Sequence, residues 1–78
     1  MPISVRAHIT GTVWKIEVAV GDEVTEGQTL VILESMKMEM PVESPSAGKV
    51  LALLVKEGSA VEEGAVLLEI APSAPQGA

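Results

Sequence analysis

Glu34-Ser35-Met36-Lys37-Met38-Glu39 is the seam between two copies of one sequence pattern, and the fold class follows from reading outward from it. On its N-terminal side stand Val5, Gly11, Val13, Val18, Gly21, Val24, Glu26, Gly27 and Leu30. These recur 37 positions on as Val42, Gly48, Val50, Val55, Gly58, Val61, Glu63, Gly64 and Leu67. The copies run over 5–33 and 42–70 without a gap. Two like halves related by a pseudo-dyad need a connector, and this connector carries a single lysine between two methionines. Such a seam is a place to display something.

Within each copy, short apolar runs alternate with Gly, Pro, Asp and Ser, the pattern of many short strands. Val5 to Ala7 is a candidate first strand, and Gly11 opens a second over Thr12 to Val18. The apolar residues of that strand change parity, Val13 being followed by Ile16 and Val18, and the second copy repeats the change with Val50, Leu53 and Val55. A shift present twice predicts β-bulges near 14–15 and 51–52, with Trp14 turned toward solvent. Gly21-Asp22 and Glu26-Gly27 are turn signals around a brief extended piece at Glu23-Val24. Gly27 and Gly64 are expected to supply positive φ. Ile32 aligns with Glu69 and should face outward, which leaves Val31, Leu33, Leu68 and Ile70 for the core. Met38 to Glu43 is the strand leaving the seam, and Pro41 marks it as an edge or a strand end. No stretch has a helical period of adequate length. The expected fold is all-β, a flattened barrel or sandwich of about eight short strands in two equivalent layers, built from two pseudo-symmetric halves with the lysine on the central hairpin. Each half alone would expose an apolar face, so each needs the other.

Composition agrees with such a core. The chain has 78 residues, is 47% hydrophobic and contains seven glycines, but only one aromatic residue and no Cys. Residues 1–71 read as one domain held by packing alone, and the Pro/Ala-rich stretch 72–78 as a flexible tail. A net charge of −6 argues against nucleic acid and anionic membranes, which call for clustered Lys or Arg. The longest aliphatic run, Val50 to Val55, is too short to span a bilayer. The N-terminus lacks the pattern of a signal peptide. The expected location is therefore cytoplasmic.

Met-Lys at the tip of a tight two-residue hairpin runs against the usual preference for Asn-Gly, and departures of this kind gather at functional sites. The plain alternative is a solvated loop lysine whose neighbouring methionines cap a small core. Other residues carry less. His8 is the single histidine and, without Cys or paired carboxylates, makes no metal site. Asp22-Glu23 and Glu62-Glu63 fall at turns as solvated charge. Glu34 and Glu39 flank the lysine, but no nucleophile pattern makes them acid/base groups. No Gly-rich phosphate loop and no Ser/His/Asp set is present, so no catalytic residue is assigned.

The run Glu34-Ser35-Met36-Lys37-Met38-Glu39 closely resembles the attachment motif of biotinyl domains, the biotin carboxyl carrier modules of biotin-dependent carboxylases. The flanking Gly-Asp-x-Val-x-x-Gly-Gln and Gly-x-Val spacings fit as well, so the resemblance covers residues 3–71. It differs at Ser35, where many biotinyl domains have Ala. It also lacks room, in an ungapped repeat, for the protruding loop of the larger acetyl-CoA carboxylase carriers. Lipoyl domains share the fold but typically have Asp before the lysine and Ala after it, so Met36 and Met38 favour biotin.

The resemblance implies that a biotin protein ligase joins biotin covalently to Lys37, with Met36 and Met38 as flanking motif and Glu34, Ser35 and Glu39 as hairpin context. It further implies that the arm carries carboxybiotin between a biotin carboxylase and a carboxyltransferase. The domain would be a carrier and not an enzyme, the chemistry belonging to the cofactor. Two other readings compete: a lipoyl carrier, and an unmodified β-sandwich interaction module that docks through its acidic faces.

Overall fold

The apolar runs form eight strands among the described residues, which in this computed structural model are 2–73. They are β1 (Ile3–Arg6), β2 (Gly11–Ile16), β3 (Glu23–Val24), β4 (Thr29–Ser35), β5 (Met38–Glu43), β6 (Gly48–Leu53), β7 (Ala60–Val61) and β8 (Val66–Pro72). Two four-stranded antiparallel sheets result, in the orders β1-β8-β6-β3 and β5-β4-β2-β7. Exchanging each strand for its repeat counterpart turns the first order into the second. The pseudo-dyad seen in the sequence therefore relates sheet to sheet.

The layers are equivalent, as expected, but a layer is not a half. Each sheet takes two strands from each copy, so the copies interlock through backbone hydrogen bonds as well as apolar contact. β1 and β3 are the edges of one sheet and β5 and β7 those of the other, and none of them pairs across the sheets, which leaves an open sandwich in place of a closed barrel.

The core lies between the sheets. Leu30, Leu33, Leu67, Leu68, Ile70, Val13, Val31 and Val50 are its largest fully buried side chains. Each contributes about 1.5–3 kcal/mol relative to exposure. The expected core positions Val31, Leu33, Leu68 and Ile70 are all buried, and Ile32 and Glu69 are half-buried. Leu30 and Leu67 belong to the core too, although strict alternation would turn them outward. At Leu30 the reason is an irregular ladder, which skips between Thr29 and Val31 opposite β5.

Both expected bulges are present. The β2–β4 ladder shifts between Val13 and Lys15, and the β6–β8 ladder between Val50 and Ala52. The extra residues are Trp14 and Leu51, 47% and 43% exposed. By absorbing one residue each, the bulges keep Val13 and Ile16 on the same face of β2.

Element ends differ from expectation where tertiary pairing sets them. β1 covers Ile3–Arg6 and not Val5–Ala7, because Ile3 pairs with Ile70 and Arg6 with Val66. β2 stops at Ile16, before Val18. Gly27 and Gly64 have φ of 86° and 91°, as their turns require. Asp22, expected as solvated charge, organises its turn by accepting a hydrogen bond from the Ala19 N–H at 2.9 Å. Of the expected tail 72–78, Pro72 ends β8 opposite Gly48, and Ser73 N–H donates to the Ala47 carbonyl at 2.8 Å. The remainder of that tail lies outside the described residues. Among the described residues, no helix is long and apolar enough to cross a membrane.

Candidate functional site: the β4–β5 hairpin

β4 and β5 run together into a two-residue turn. Leu33 faces Met40, Glu34 faces Glu39, and Ser35 faces Met38, which leaves Met36 and Lys37 as the turn itself. Their φ angles are 52° and 66°, and they are the only non-glycine residues with positive φ among those described. Positive φ at both central positions is the type I′ signature, whose twist matches that of the flanking strands. An L-residue held there costs about 1–2 kcal/mol, so the ladder beneath has to impose the conformation. Leu33 supplies the anchor: it is fully buried two residues below the end of β4.

This geometry turns the seam outward. Lys37 is exposed, Met36 is 90% exposed and Met38 59%. The methionines therefore do not cap the core. Glu34 and Glu39 are exposed and directly opposed across the ladder, a like-charge pairing that costs stability where it occurs. Ser35 is half-buried at the last ladder step. All six seam residues are thus gathered on one hairpin, and the arrangement offers a primary amine on a short rigid stalk with no enclosing walls.

The other candidates lie elsewhere. His8 is exposed and lines a shallow cleft of about 300 Å³ between β1 and β5, together with Ser4, Arg6, Pro41, Glu43 and Pro45. Lys37 is not part of it. Among the described residues, no group of three or more His, Asp or Glu is arranged to hold a metal ion.

Sequence reasoning missed one contributor, Gly11. A Cβ at this position would fall on the carbonyl oxygen of Glu34, at the base of the hairpin. The signal was available, since a glycine inside a strand marks close backbone approach and this one recurs as Gly48.

The hairpin also sits at a defined end of the molecule. β2 leaves it and leads to β3, which pairs with Gly48 and Lys49 beside Pro72. The pseudo-dyad thus sets Gly48 and Pro72 at the end of the molecule opposite the Met36–Lys37 turn.

Comparison with known proteins gives this hairpin its context. The profile of a family described as "Biotin-requiring enzyme", biotin/lipoyl, matches residues 3–70. The biotin/lipoyl attachment protein of Bacillus subtilis is 44% identical over 71 residues, which cover 91% of this chain and 97% of that one. The chain belongs to the biotin/lipoyl attachment family.

Members of the family are also built into large enzymes. The chain is 45% identical over 67 residues to the biotin-dependent acyl-coenzyme A carboxylase alpha3 subunit of Mycobacterium leprae, spanning 86% of this chain and 11% of that subunit. Its fold superposes on a single-chain, multi-domain long-chain acyl-CoA carboxylase with a TM-score of 0.88 at 32% identity, covering 94% of this chain and 7% of the other. A biotin/lipoyl attachment domain is a carrier and not itself a catalyst. This one spans nearly the whole of the Bacillus protein and only a small part of the carboxylases.

Proposed function

We propose that Lys37 is the attachment residue and that the domain carries biotin as a covalent amide on its side chain. The observation that carries this is the exposed lysine on a type I′ turn, held by the ladder at positive φ in a chain of this family. The site fits the group chemically: an amide needs one primary amine with open space around it, and Lys37 is exposed at the hairpin tip. A biotin protein ligase would take the proton from the Lys37 ammonium. The Nζ lone pair would then attack the acyl carbon of biotinyl-adenylate, forming the C–N bond as the C–O bond to phosphate breaks, with AMP leaving and the second amine proton passing to solvent.

Bound biotin supplies the capacity to carry carbon dioxide. The chain's own part is presentation: the hairpin holds Nζ clear of the surface, and Met36 and Met38 offer exposed, adaptable apolar contacts to whatever docks there. The partners are then a ligase, a biotin carboxylase and a carboxyltransferase.

Co-expression with an active biotin ligase tests the assignment. Intact mass should show one biotinoyl adduct, streptavidin should detect it, and Lys37→Arg should abolish both. Streptavidin binding that survived Lys37→Arg would overturn the assignment. The name of the Bacillus relative covers both cofactors, so a lipoyl adduct on Lys37 of native protein would assign the second reading. The biotinylated domain mixed with biotin carboxylase, ATP and labelled bicarbonate should become labelled, whereas the domain alone should not carboxylate any acyl-CoA or keto acid.

A further inference from the structure

Gly11 opens β2 directly under the base of the hairpin. A methyl group replacing its hydrogen would meet the Glu34 carbonyl oxygen at 2.5 Å and the Ser35 Cβ at 3.3 Å. The first contact is with backbone, so no side-chain rotation relieves it. Gly11 is not among the glycines of positive φ, so close approach, and not conformational freedom, is what excludes a side chain. Relief has to come from separating β2 from Glu34 and Ser35, the last ladder steps before Met36 and Lys37.

The repeat supplies a matched control. A methyl group on Gly48, which opens β6, would meet the Ala71 carbonyl oxygen and, at 2.7 Å, the Ile70 Cγ2. Ala71 is the counterpart of Glu34, but it leads to Pro72, which pairs with Gly48 at the opposite pole of the molecule. The glycine is therefore a packing requirement of both copies. The copies differ in what the abutted strand carries next.

We infer that Gly11 is a positioning residue for modification of Lys37: its bare Cα lets β2 seat against Glu34 and fixes the direction in which the Met36–Lys37 turn leaves the sheet. The inference rests on Lys37 being the attachment residue. It differs from display by exposure alone, which requires only that the amine reach solvent.

The test compares wild type, Gly11→Ala and Gly48→Ala at a temperature where melting curves show each to be folded. Two rates are read on Lys37: biotinylation by a ligase, and acylation by a small N-hydroxysuccinimide ester. Gly11→Ala should lose about tenfold or more in ligase kcat/KM, as misplacement on the ångström scale does elsewhere. Gly48→Ala, distant from the hairpin, should stay within about twofold of wild type. The small ester should acylate Lys37 equally in all three, because exposure is unchanged. Equal ligase losses in both glycine variants, or no loss in Gly11→Ala, would overturn the inference. Failure of Gly11→Ala to fold, alone or together with Gly48→Ala, would make the glycine a requirement of the fold and would overturn it as well. If Lys37 of the wild type is not modified at all, the attachment proposal fails, and that outcome is visible in the wild-type arm alone.

Discussion

Met36 and Lys37 occupy a backbone region that L-residues leave unless the surroundings hold them there. Asn-Gly would fit the same turn without that cost, so stability and display are opposed at these two positions. Replacing the pair by Met36→Asn and Lys37→Gly should raise the unfolding free energy by about 1–2 kcal/mol while removing the amine. Urea denaturation would measure the gain, and a loss would mean that the turn residues pack in a way their exposure does not suggest. Lys37→Ala keeps the strained φ and removes only an exposed side chain, so it should change stability by no more than about 0.5 kcal/mol. The lysine and its methionines were legible in the sequence because they break a turn rule at a repeat seam. Their left-handed φ was not, since local preference points the other way.

The strands that carry the turn depend on parity. Leu33 is fully buried directly below the hairpin, and Leu33→Ala should cost about 2–5 kcal/mol, read as a fall in the urea midpoint. A cost no larger than that of Lys37→Ala would mean that the ladder is not anchored there. The bulge at Trp14 gives a sharper test. Deleting Trp14 leaves Val13, Lys15 and Ile16 in regular in-out-in alternation, so the variant should keep its all-β circular dichroism. The deletion should cost less than Leu33→Ala, because the lost side chain is about half exposed. Unfolding of the deletion variant would show that the bend made by the bulge, and not its parity, is what β2 needs. Both bulges were readable from sequence because the same one-residue slip appears in both copies. The burial of Leu30 and Leu67 was not, because strict alternation hides an irregular ladder.

Across the molecule, each sheet contains two strands from each copy, so neither copy can complete a sheet by itself. Residues 1–36 and 37–78, expressed separately, should each give the amide dispersion of an unfolded chain, and an equimolar mixture should recover the native spectrum. A stable fold from either fragment alone would contradict the interlocked pairing. The same interlocking makes the scaffold stiff, and the seam stands at one pole. Biotinylation should therefore shift backbone amides of residues 34–40 and leave the rest superimposable. Widespread shifts would show that the hairpin is coupled to the sheets beyond its own ladder.

The sequence by itself determined the all-β class, the pseudo-dyad, both bulges and the lysine at the seam. Each of these is written in one dimension, as a period of two, a slip in that period or an ungapped repeat. Tertiary structure alone decided that layers are not halves, that β1 pairs with β8 from the far end of the chain, and that Gly11 lies against Glu34. It also decided the left-handed turn, which opposes local preference and persists because the ladder from Leu33 to Ser35 holds it. Periodicity tells a strand which face to bury, but the choice of neighbour depends on contacts between residues dozens of positions apart, and no local pattern records it.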